Sequence, residues 1–200
     1  HRRLILPQLG APGVAAHEVK RRTGFTVEYG PVRASDLPDY LREGAVTRGM
    51  REVTFPLRDR AVLVPVELRN VMPYLVLAMV GLFLAGGAYP AAAALAAALA
   101  GTALFPLLLP FLPTKDFSSK GMVLGAIVSV PLLLPLAGGV PGWESWTLAA
   151  VGVGAFLLVT AVTGYLALNF TGCSTYASRT GVKREIFRYM PALVAMAGVG

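Results

Sequence analysis

From Val71 to Tyr89 the chain runs for nineteen residues without a charged side chain. As a helix rising 1.5 Å per residue this stretch is about 28 Å long, close to the roughly 30 Å of hydrocarbon in a bilayer. Arg69 stands just before it, and Pro73 falls in its first turn, where a missing N–H costs nothing. A chain holding such a segment folds around a membrane span. Further apolar blocks follow at about 90–112, 121–140, 147–170 and 189–200. Residues 71–200 are therefore expected to form an all-α transmembrane bundle of about five helices, the last one cut short. The absence of an initiator Met and the stop at Gly200 make the chain read as a fragment of a longer protein.

Charge divides the chain in the same place. Residues 1–70 hold 12 Lys/Arg and 8 Asp/Glu, whereas residues 71–200 hold 6 and 3. The net charge of +7 is thus better explained by loops at a membrane lipid surface than by a nucleic-acid partner, whose mark is a basic stripe on a soluble face. Counted by loop, the cations alternate as 12, none, two, none and four, and every cation-bearing loop falls on the side of residues 1–70. The positive-inside bias then places residues 1–70 in the cytoplasm and the bundle in the inner (cytoplasmic) membrane. Trp143 and Trp146 mark an interface before the fourth span, and Pro106 and Pro110 predict a kink in the second. Gly121 and Gly125 form a GxxxG pair that allows two helices to approach closely.

Residues 1–70 read as an α/β domain. Leu4-Ile5-Leu6 is a short apolar strand closed by Pro7, Val14–Arg22 has helical character and ends at Gly24, and Phe25–Tyr29 alternates like a half-buried strand. Strand, Gly-rich loop, helix and strand together make a βαβ crossover with a parallel pair. Ser35 or Asp36 is placed to cap a short helix to about Arg42. Arg51–Phe55 and Ala61–Glu67 read as two more strands, joined by a turn at Leu57–Arg60.

In an open α/β sheet, ligands lie beyond the C-terminal ends of the strands. Two loops occupy that edge: Gln8, Leu9, Gly10, Ala11, Pro12, Gly13 and Val14 after the first strand, and Tyr29, Gly30, Pro31, Val32 and Arg33 after the second. The first precedes a helix and offers backbone N–H groups to a phosphate or to the amide-rich edge of a large cofactor. It lacks the full dinucleotide fingerprint and any Walker lysine. No metal site is expected, because His17 has no second ligand at suitable spacing and Cys173 has no partner cysteine. No acid/base dyad stands out either. Lys183, Arg184 and Arg188 are expected to face anionic headgroups.

The phrases LPQLGAPGV (6–14) and YGPVRASDLPDYL (29–41) resemble the corrinoid-binding domain shared by the corrinoid iron–sulfur proteins of acetyl-CoA synthesis and the mercury-methylating corrinoid proteins. The stretch NFTGCSTYASRTGV (169–182) looks like the polar loop before the last span of the mercury-methylating branch, which joins its corrinoid domain to about five spans, whereas the acetyl-CoA branch is soluble. The resemblance implies a partial Rossmann-like corrinoid-binding domain followed by a membrane bundle. It implies a corrinoid-dependent methyltransferase in which a methyl group passes from a folate-type donor system to cobalt and then to inorganic Hg(II). A separate ferredoxin-like iron–sulfur protein is implied as reductant, in keeping with a single cysteine here. The family's axial-ligand segment, Asn-Val-Trp-Cys-Ala, is expected upstream of His1. On this reading the two loops are cofactor contacts, not catalysts, since the corrinoid itself performs the transfer. A membrane-tethered methyl carrier of one-carbon metabolism, and a transport or scaffold protein with a regulatory α/β domain, are the alternatives.

Overall fold

The computed structural model describes residues 1–171 and 179–200. They form two compact units, His1–Thr54 and Phe55–Gly200. Cys173 and half of the 169–182 stretch, residues 172–178, lie outside the described residues.

The first unit is built on β1 (Arg3–Pro7), α1 (Ala16–Thr23) and β2 (Thr26–Gly30). The strands pair in parallel, from Arg3 opposite Thr26 to Pro7 opposite Gly30. This is the strand–helix–strand order expected from the alternation of Phe25–Tyr29 and the apolar run before Pro7. α1 stops at Gly24, whose φ of 74° and N–H bond to Lys20 O make a left-handed cap. A helix α2 (Leu37–Glu43) follows and stops in the same way at Gly44. Asp36 occupies its N-cap position without a side-chain cap bond; Ser35 Oγ donates to the Asp36 carboxylate instead, at 3.1 Å. A short α3 (Arg48–Arg51) completes the unit.

The two further strands do not form. Residues 52–56 have no regular structure, and Ala61–Glu67 lies inside α4 (Leu57–Gly86). The alternating valines Val62, Val64 and Val66 favour a strand locally, but Pro65 cannot serve a central ladder. Arg60, Leu63, Val64, Glu67, Leu68, Val71 and Leu75 are all at least partly buried, and that is the spacing of one helical face. At 30 residues α4 is about 45 Å long, so it holds residues 71–86 of the expected first span and roughly four turns before them.

The second unit continues with α5 (Ala88–Leu99), a π-helical segment (Ala100–Leu104) and α6 (Phe105–Leu108), then α7 (Phe117–Ala137), α8 (Ser145–Phe170) and α9 (Arg179–Val199). Four helical stretches, 57–86, 88–108, 117–137 and 145–170, are long and apolar enough to cross a membrane. The second loses regular pitch at the π segment just before Pro106 and ends short of the expected Leu112. α7 and α8 pack most closely. A Cβ on Gly121 would stand 2.4 Å from Ala167 Cβ, and one on Gly125 2.8 Å from Thr160 Cα, so the GxxxG pair is a contact surface for α8. Phe105 and Phe170 meet edge to face at 5.8 Å, with Leu109, Leu124 and Ala167 around them. Outward-facing residues such as Leu77, Leu84 and Tyr74 are about three-quarters exposed, as a lipid-facing surface requires.

Candidate functional site

The loop after β1 begins with a single 3-10 turn, Gln8–Gly10, closed by the Ala11 N–H on Gln8 O at 3.2 Å. A second turn follows, with the Gly13 N–H on Gly10 O at 3.0 Å. Two of the backbone donors that could have met an anion are therefore used within the loop. What the loop presents instead is apolar and poor in side chains: Leu9, Pro12 and Gly13 are exposed. Neither Gly10 nor Gly13 has a positive φ. A Cβ on Gly10 would find its nearest neighbour, Pro7 Cγ, at 4.0 Å, and one on Gly13 would meet only Gly10 O, at 3.7 Å. The turn itself does not demand glycine at either place, and the space over them is free for a ligand that approaches backbone closely.

The loop after β2 is different. Gly30 and Pro31 are buried, and a Cβ on Gly30 would stand 2.9 Å from Ile5 Cγ2, so packing of β2 against β1 accounts for that glycine. The Val32 N–H donates to Met50 O at 2.9 Å, and Arg33 Nη2 to Thr54 O at 3.0 Å. These bonds tie the second loop to residues 50–54, a role that the strand expected at Arg51–Phe55 did not foreshadow. The two loops meet through one side chain: the Tyr29 hydroxyl donates to Val14 O at 2.5 Å.

Gln8 and Tyr29 also border a recess of about 600 Å³ whose other walls include Glu28, Tyr40, Val46 and Arg51. Tyr40, on α2, is 2 % exposed. Burial, and secondarily the Glu28 carboxylate beside it, raise its pKa. Arg3 on β1 pairs with Glu28 on β2, and it is chiefly this guanidinium that lowers the Glu28 pKa. The recess is thus lined by a carboxylate, a guanidinium, an amide and two phenols. Sequence reasoning missed Tyr40 and Arg51; the one usable signal was Tyr40 as the aromatic residue of the short helix α2.

Leu9, Gly10, Ala11, Pro12 and Gly13 leave room over the loop for a broad flat group to approach, and the Tyr29 hydroxyl holds the loop at Val14. Gly30 and Pro31 are buried instead, and Val32 and Arg33 are bonded to residues 50–54. His17 is exposed on α1. In the second unit Arg188 lies 3.7 Å from the Asp116 carboxylate and over the Tyr189 ring, so part of the basic run expected at headgroups has internal partners. No protein-family model, no curated protein and no solved structure matches the chain.

Proposed function

We propose that the chain is the membrane-anchored part of a corrinoid-dependent methyltransferase of the mercury-methylating type. The observation that carries this reading is the position of the two resembling phrases. LPQLGAPGV and YGPVRASDLPDYL supply the two loops at one edge of a parallel strand pair, joined there by the Tyr29–Val14 bond. Membrane-length helices follow in the same chain.

A bound corrinoid would supply a carrier for a methyl group between a folate-type donor and inorganic Hg(II), its cobalt kept reduced by a ferredoxin-like iron–sulfur partner. The chain's own residues bind and orient. Leu9, Pro12 and the bare backbone at Gly10 and Gly13 offer an apolar floor that excludes water. Tyr29 fixes the height of that floor by holding Val14 O. The alternation of loop cations puts residues 1–70 in the cytoplasm, where donor and reductant are available.

The test uses the full-length protein purified from membranes. It is expected to carry the visible absorption of a corrinoid and to form methylmercury from Hg(II) when donor and reductant are supplied. Gly13→Leu, which the fold has room for, is expected to lose the absorption while residues 1–54 stay protease-resistant. Lys183→Ala is expected to keep it. A Gly13→Leu protein that retains corrinoid would show the loop to be only a turn, and a parent protein without corrinoid would overturn the whole reading.

A further inference from the structure

α4 is the least enclosed span of the second unit, with 6 % of its membrane-length window buried, against 50 % for the second span. Its contacts run mainly to α5, the π segment and α6. One polar side chain on it is nevertheless deep in the protein: Arg60, 9 % exposed. Its Nη1 donates to Pro106 O at 3.2 Å and to Leu107 O at 2.8 Å.

Those two carbonyls are bare for a reason written in the sequence. In an α-helix Pro106 O would accept the N–H of residue 110, and Pro110 has none. Leu107 O would accept from Phe111, whose N–H has turned to Leu108 O at 2.9 Å as the helix ends. The pattern repeats three residues on. Leu109 O looks to Pro113, again without an N–H, and receives Lys120 Nζ at 3.0 Å. Two cations from two different helices thus stand where prolines have removed backbone donors, at the end of a membrane span where water is scarce and a bare carbonyl is costly. Phe55 and Leu63, on either side of Arg60, pack on the aromatic cluster formed by Phe105 and Phe170, so the same stretch is held by apolar contact as well.

We propose that Arg60 is a lock that sets the depth and register of α4 against the second span by replacing the backbone donors lost around Pro110. It fixes the point at which the chain enters the bundle, beside the packing of α4 on α5, the π segment and α6.

The test is a double-mutant cycle in the full-length protein in lipid nanodiscs, read by thermal midpoint and by maleimide labelling of a single cysteine replacing Asn70 in a Cys173→Ser background. Arg60→Ala is expected to lower the midpoint and to speed labelling about tenfold, the scale of losing hydrogen bonds to a charged donor. Arg60→Lys is expected to keep part of the protection, as the Lys120 ammonium does for Leu109 O. In a Pro110→Ala background, where an N–H is restored for Pro106 O, Arg60→Ala is expected to cost much less. Equal loss in both backgrounds, no change on Arg60→Ala, or an Arg60→Lys protein as loose as Arg60→Ala would each overturn the lock. If Arg60→Ala alone fails to accumulate, recovery in the double variant supports it. Failure of the double variant, while Pro110→Ala alone accumulates, refutes it.

Discussion

The Tyr29 hydroxyl reaches across from β2 to the Val14 carbonyl, 2.5 Å away, and so holds the end of the glycine loop that follows β1. The bond is half-buried and joins residues that are fifteen apart in sequence. Tyr29→Phe keeps the ring and removes only the donor. It is expected to destabilise the first unit by about 1 kcal/mol, the usual net worth of such a bond. Amide exchange should rise across residues 11–16 and stay unchanged in α2. Uniform faster exchange across the unit, or none at all, would mean that the loop is held by something else.

A second expectation concerns pH. The Glu28 pKa is lowered, first by Arg3, so the pair contributes stability above the ordinary carboxyl value of 4.5 and loses it as pH falls through the lower folded value. The Tyr40 pKa is raised, first by burial, so the neutral phenol contributes stability below the ordinary value of 10.0 and loses it as pH rises through the higher folded value. Denaturant unfolding of the first unit should therefore weaken at both extremes. Glu28→Gln should flatten the acid limb, and Tyr40→Phe the alkaline one. An acid limb unchanged by Glu28→Gln would assign it to other carboxylates.

How much of this was legible in the sequence depends on the range of the interaction involved. The β1–α1–β2 unit follows from local pattern, because Pro7, Gly24 and the alternation at Phe25–Tyr29 each speak for themselves. Ala61–Glu67 was misleading because its valines alternate locally, while the helical face running from Arg60 to Leu75 becomes visible only over four turns. Four of the five expected spans were legible from length and charge alone, as helical stretches long and apolar enough to cross a membrane. The ends of the second span were not, since its π segment and early stop depend on how Pro106 and Pro110 are accommodated by neighbours. At the candidate site, glycine content drew attention to Gly10, Gly13 and Gly30 alike. Packing against Ile5 separates Gly30 from the other two, and no sequence pattern carries that contact.

The α7–α8 contact gives a third prediction. With a Cβ at Gly121 only 2.4 Å from Ala167 Cβ and 2.8 Å from Thr163 O, any side chain there must push the helices apart. Gly121→Leu is expected to cost about 3 kcal/mol or to prevent assembly, as overpacking against backbone does. Gly81→Leu is the control, since a Cβ there meets nothing within 4 Å. Thermal unfolding in detergent should separate the two clearly. Equal midpoints would show that α7 and α8 do not touch at these residues.

The orientation of the bundle is open to direct measurement. Ala88 begins α5 right after the α4 turn, Glu144 caps the start of α8, and Lys115 lies between α6 and α7. All three are exposed. Because successive spans run in opposite directions, Ala88 and Glu144 belong to one side of the membrane and Lys115 to the other. The side with Lys115 also takes Lys120 and the basic start of α9, whereas the turn at Gly86–Ala88 has no charge and the loop before α8 carries only Glu144. The positive-inside bias therefore predicts that the side with Lys115 faces the cytoplasm. In a Cys173→Ser background, single cysteines replacing Ala88 and Glu144 should react with an impermeant maleimide added to intact cells. One replacing Lys115 should react only after the cells are opened. The reverse pattern would place residues 1–70 outside the cytoplasm, away from any folate-type donor and iron–sulfur reductant, and would remove the basis for the proposed methyl transfer.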